Sequence, residues 1–165
     1  MRRLIDFWAF VSVLVVFGGA LIALLRGLYR GRRSLLSKKA ALLAEFHNQL
    51  KKNPAVVRAV AFLKESDFDK KFEHLLATES ASLTEAEAVI KEDLDALFQL
   101  LNSIVHAVTI TKILTREETE IFSGYFRLLQ GHPILSQYFY NSGFLDLWDF
   151  AQSWMEKLSG DEIEI

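Results

Sequence analysis

The sequence predicts an all-α protein, with a single N-terminal transmembrane helix followed by a cytoplasmic helical bundle. Three observations lead there. Phe7 to Leu25 (FWAFVSVLVVFGGALIALL) runs nineteen residues without a charge. At about 1.5 Å per residue, a helix of that length reaches roughly 28 Å, near the hydrocarbon thickness of a bilayer. Beyond residue 40 the apolar residues recur at helical spacing, with no strand-like alternation. Two prolines and eight glycines in 165 residues leave few breakers in a chain rich in Leu, Ala, Glu and Lys.

The anchor comes first, over residues 1–33 with its basic flank. The Met-Arg-Arg start resembles a secretory signal, but the apolar run ends in Arg26-Gly27-Leu28-Tyr29-Arg30 and not in a small-x-small cleavage site. That pattern predicts an uncleaved signal anchor. Arg26, Arg30, Arg32, Arg33, Lys38 and Lys39 follow the span, against Arg2 and Arg3 before it. The positive-inside tendency then places the N-terminus outside and the following domain in the cytoplasm, on an inner (plasma) membrane crossed once. The same cations would meet anionic membrane lipid, at about 1 kcal/mol each near the surface. Gly19 and Ala23 stand four residues apart, the spacing at which small residues let two spans approach, which leaves room for a homo-oligomer.

Residues 34–158 are expected to form the bundle, and 159–165 an acidic tail. Ala40 to Leu50 is amphipathic and closes at Lys51-Lys52-Asn53; Pro54 opens the next helix, with Asn53 or Ser66 as caps for the flanking helices. Phe68, Phe72, Leu75 and Leu76 make an apolar stripe after Ser66. Ser82 with Glu85 reads as a capping box for the longest helix. Along it Ala86, Ile90, Leu94, Leu97, Leu101, Ile104 and Val108 recur every three or four residues, the pattern of a bundle's central helix. Thr115 and Glu118 form a second capping box. The helix that follows must stop near Gly131, because Pro133 disfavours helical geometry at His132. Ile134 to Tyr140 is a short aromatic helix ended by Asn141-Ser142-Gly143, and Phe144 to Met155 carries the last apolar stripe.

Composition excludes several chemistries. With no cysteine there is no disulfide framework, thiol nucleophile or thiolate metal site. From residue 40 onward 11 Lys and Arg face 20 Asp and Glu, a balance of −9. So acidic a domain argues against nucleic acid as a partner, which requires many cationic phosphate contacts. His47, His74, His106 and His132 lie in no metal-ligand spacing, and no phosphate-binding glycine loop or serine-nucleophile motif occurs. Neither a metal nor a cofactor is expected. Glu85, Glu87, Glu92, Asp93 and Asp95 are expected to be a solvated helix face. His106 and Asn102, one turn apart, are expected to be a buried hydrogen-bonded pair.

One spacing carries a chemical alternative. Arg127 and His132 form R-x4-H, the spacing of the ribonuclease motif in the all-helical HEPN family, in which an Arg and a His from two protomers act on an RNA backbone. An Arg stabilises a developing phosphorane and a His moves a proton near neutral pH. Here Leu128 stands where a polar residue usually follows the Arg. The structural reading is a surface Arg and a His satisfying helix-end carbonyls.

From Leu94 to Trp154 the chain passes from the long helix through Ile-Leu-Thr-Arg-Glu-Glu (113–118) to Phe-Leu-Asp-Leu-Trp-Asp-Phe-Ala (144–151). This stretch resembles a bacterial family of unknown function with one N-terminal span and a cytoplasmic helical domain. The resemblance implies that architecture and assigns no catalytic residue. Together these features point to a non-enzymatic protein-interaction or regulatory module that binds another protein or itself. The alternative is a membrane-tethered HEPN-like accessory or defence effector of the kind associated with type VI CRISPR loci, acting as an oligomer, RNA-directed or pore-forming, through Arg127 and His132.

Overall fold

The computed structural model describes residues 34–78 and 82–160, with 155–160 by backbone alone. The expected span over 7–25, its Gly19 and Ala23, the flanking Arg26, Arg30, Arg32 and Arg33, and residues 161–165 lie outside the described residues. Among the described helices, none is long and apolar enough to cross a membrane. The chain divides into two compact units, Met1–Leu42 and Leu43–Ile165. In the first, residues 34–42 are helical, with Lys38 exposed and Lys39 half-buried.

The described residues are helical throughout, with no strand among them. Helix α1, described over 34–52, breaks at Asn53, and α2 (Pro54–Leu63) starts at once. The side chain of Asn53 accepts the Ala55 N–H at 3.1 Å, and Pro54 occupies a first-turn position whose missing donor costs nothing. Helix α3 (Phe68–Ala77) follows a tight turn, and its cap position is Asp67, which makes no side-chain cap bond. Ser66 therefore does not cap it. Phe68, Phe72 and Leu75 are buried as expected, whereas Leu76 lies on the solvent side at 42% exposure.

Helix α4 (Glu85–Thr109) is the long central helix. Its N-cap is Thr84, not Ser82. The Thr84 hydroxyl accepts the Glu87 N–H at 3.3 Å while the Glu87 carboxylate accepts the Thr84 N–H at 2.9 Å. Both candidates satisfy the S/T-x-x-E pattern, so spacing alone does not choose between them. From Leu94 to Val105 the inner stripe is buried, but Ala86 is exposed and Ile90 half-exposed, so the apolar face of α4 outruns its cover by two turns.

After α4 the chain turns through Lys112, a non-glycine residue at φ 51°. Thr115 and Glu118 then form the expected reciprocal bonds, at 2.7 and 3.3 Å. They open a 3-10 stretch, Glu117–Phe122, before α5 (Ser123–Gln130) begins. Buried Thr119 contributes to that tighter winding, because its hydroxyl donates at 2.8 Å to the same Arg116 carbonyl that its own N–H uses. Helix α6 (Ile134–Ser142) ends at Gly143 in the left-handed region, φ 78°, where a Cβ would be strained. Helix α7 (Leu145–Gly160) continues as backbone two residues into the expected tail.

Packing centres on α4. Helix α2 lies along it, and α7 packs against α4, α5 and α6. Phe98 meets Phe139 edge-on with centroids 4.8 Å apart, Phe139 meets Trp148 at 6.0 Å, and Phe126 meets Phe150 at 5.2 Å. These perpendicular contacts suit the ring quadrupole and add about 0.5–1.5 kcal/mol each beyond area burial.

Candidate functional site

The polar groups singled out by the sequence are mostly spent on holding helices together. His132 sits in the turn between α5 and α6 against the Phe68 ring, centroids 4.4 Å apart. Its Nε2 lies 2.8 Å from the Leu63 carbonyl at the end of α2, and its Nδ1 lies 2.8 Å from Asp69 on α3. The carbonyl accepts, so Nε2 carries a proton. Arg127 is exposed on α5 and makes no bond with His132. Within the chain, the structure does not bring the two together.

The acidic face of α4 is a correction. Asp93 is 5% exposed and accepts two hydrogen bonds from Arg58, 2.6 Å from Nε and 2.8 Å from Nη2, in the fork geometry that only a guanidinium offers. Asp95 accepts the Tyr138 hydroxyl at 2.6 Å. Burial, and then the bond to Asp95, push the Tyr138 phenol up to about 12. Glu87 belongs to the capping box; the Thr84 hydroxyl and then the Thr84 N–H hold it below the usual carboxylate range. Only Glu85 and Glu92 are plainly exposed. The expected Asn102–His106 pair is also absent. His106 faces solvent, and the Asn102 carbonyl oxygen is buried without a partner among the described residues.

What remains open is a groove of about 390 Å³ where α2, α3 and the uncovered first turns of α4 meet. Phe62, Leu75 and Ile90 line it with apolar surface, and the exposed Lys70, Lys71 and His74 stand along it. A smaller hollow beside it shares Phe62 and Ile90 and reaches the Arg58–Asp93 pair. Most of the charges here are already matched. Lys71 donates to Glu65 at 2.5 Å and lies 3.1 Å from Asp67, contacts that raise its pKa, the Glu65 bond first. His74 Nε2 is 3.4 Å from Glu87. An apolar floor ringed by matched charges is the layout of a contact patch whose rim excludes water. No three His, Cys, Asp or Glu converge on a metal position among the described residues.

Nothing in the sequence motifs marked this groove, although the stripe of α4 beginning at Ala86, before its cover begins, was the available signal. No protein-family model, no curated protein and no solved structure matches the chain.

Proposed function

We propose that this chain is a membrane-anchored helical module that works by holding a partner protein. The span over residues 7–25 would tether it, with the basic flank on the cytoplasmic side beside anionic lipid. The α2–α3–α4 groove would receive an apolar side chain from a helix of the partner. The observation that carries this reading is the groove itself: apolar residues from three helices line it, the half-exposed Ile90 beside the buried Phe62 and Leu75, inside a rim whose charges are largely matched. An apolar anchor gains from burial there at about 25 cal/mol per Å² of apolar surface, and the matched rim does not have to be stripped of unpaired charge.

The test places a photo-crosslinking amino acid at Lys70, beside the groove, and separately at the exposed Glu120 on the 3-10 stretch, in the full chain in its native cells. A defined adduct from position 70, absent from position 120 and lost in an Ile90→Glu variant that still melts cooperatively, is the expected result. Equal labelling from both positions, or labelling indifferent to Ile90→Glu, overturns it.

A further inference from the structure

A second hollow, of about 560 Å³, opens where the end of α4 meets α7. It holds opposite charges that do not neutralise one another. Arg116 is seated firmly: its guanidinium carbon lies 4.7 Å from the Trp154 ring centroid and 5.5 Å from that of Phe150. Its Nη2 donates to the Ser153 hydroxyl at 3.1 Å, and its Nε is buried with no acceptor among the described residues. That single bond leaves most of the five guanidinium donors unspent.

Asp146 and Asp149 line the same hollow from one exposed face of α7. Among the described residues no cation, Arg116 included, comes within ion-pair distance of either. The aromatic seat therefore holds the guanidinium apart from the two carboxylates. Val108 and Ile110, at the C-terminal end of α4, supply apolar lining, and the helix dipole there favours a positive charge beside them. A rigid cation and a pair of carboxylates in one partly apolar hollow of this size match a ligand that carries both signs of charge.

We propose that this hollow binds a small zwitterion, a free amino acid with a short branched side chain. Its carboxylate would lie on the unspent donors of Arg116, its ammonium between Asp146 and Asp149, and its side chain against Val108 and Ile110. The assignment is independent of the α2–α3–α4 groove.

The experiment is a calorimetric titration of the full chain, solubilised in a mild detergent, with three probes. They are L-leucine, 4-methylpentanoate, which lacks the ammonium, and 3-methylbutylamine, which lacks the carboxylate. Saturable binding of leucine is expected, with each half-ligand at least tenfold weaker. The double variant Asp146→Asn/Asp149→Asn, whose side chains are solvent-exposed, should melt as the parent does and lose at least tenfold in leucine affinity. Arg116→Met should lose as much. Absence of leucine binding, amine binding as tight as leucine, or unchanged affinity in the double variant each overturns the proposal.

Discussion

His132 closes the end of α2 from outside that helix, its Nε2 donating to the Leu63 carbonyl at 2.8 Å. The last carbonyls of a helix have no partner within it, and a half-buried one left alone costs free energy. His132→Phe keeps a ring against Phe68 and loses the bonds to Leu63 and Asp69. Urea unfolding should show a loss of about 1–3 kcal/mol. Arg127→Ala, at an exposed position, should stay within about 0.5 kcal/mol of the parent. A comparable loss from both would mean the two residues act as a pair.

Arg58 and Asp93 behave differently when broken and when replaced. Arg58→Met leaves the Asp93 carboxylate buried and unmatched, so the melting temperature should fall by several degrees. Converting both residues, Arg58→Met with Asp93→Leu, removes the stranded charge and should recover most of that fall. Differential scanning calorimetry of the single and double variants decides it. No recovery in the double variant would show that the pair does more than satisfy itself.

Thr84 is the cap of α4 and Ser82 is not. Thr84→Ala should cost about 1 kcal/mol, and Ser82→Ala should change stability by no more than a few tenths. The pH dependence follows the same bond. Glu87 titrates lower in the fold than unfolded, so its contribution is complete above its unfolded value of about 4.3 and disappears as pH falls through the lower folded value. Urea titrations at pH 6 and pH 3, chosen to bracket about 4.3, should therefore show a shallower acid loss in Thr84→Ala than in the parent.

Tyr138 sets an alkaline limit. Its phenol titrates near 12 in the fold, above the unfolded value of about 10, so the protonated form is the one the fold favours. That stabilisation is complete below pH ~10 and is lost as pH rises from there to about 12. Tyr138→Phe gives up the bond to Asp95 at every pH and has no such slope. Unfolding free energies at about pH 9 and pH 11, on either side of the unfolded value, should converge between variant and parent. Parallel curves would place the titration elsewhere.

Much of the helical plan was legible from local chemistry. The spacing of Leu94, Leu97, Leu101 and Ile104 marked the inner face of α4, Asn53 and Pro54 marked a helix start, and Gly143 marked an end. Each of these depends on residues within about one turn of one another, where side chain and backbone meet whatever the tertiary fold does. The choice of Thr84 over Ser82 was not legible, since both present the same pattern. Nor was the 3-10 winding after Thr115, where Thr119 competes for a carbonyl.

The candidate sites were legible in their residues and not in their partners. The acids of α4 looked like one solvated face because a helix surface and a helix seam have the same local sequence. Arg58 reaches Asp93 from thirty-five residues away, and Tyr138 reaches Asp95 from forty-three. His132 took its meaning from Leu63 and Asp69, more than sixty residues upstream, and His106 met no side-chain partner among the described residues because its side of α4 faces water. The sequence by itself determined that the described chain is helical, where most helices begin and end, and which face of α4 is apolar. Only the tertiary structure decided which polar groups are spent on one another, and which apolar and charged surfaces α2, α3 and α7 leave open, because burial and long-range pairing exist only once the helices have packed.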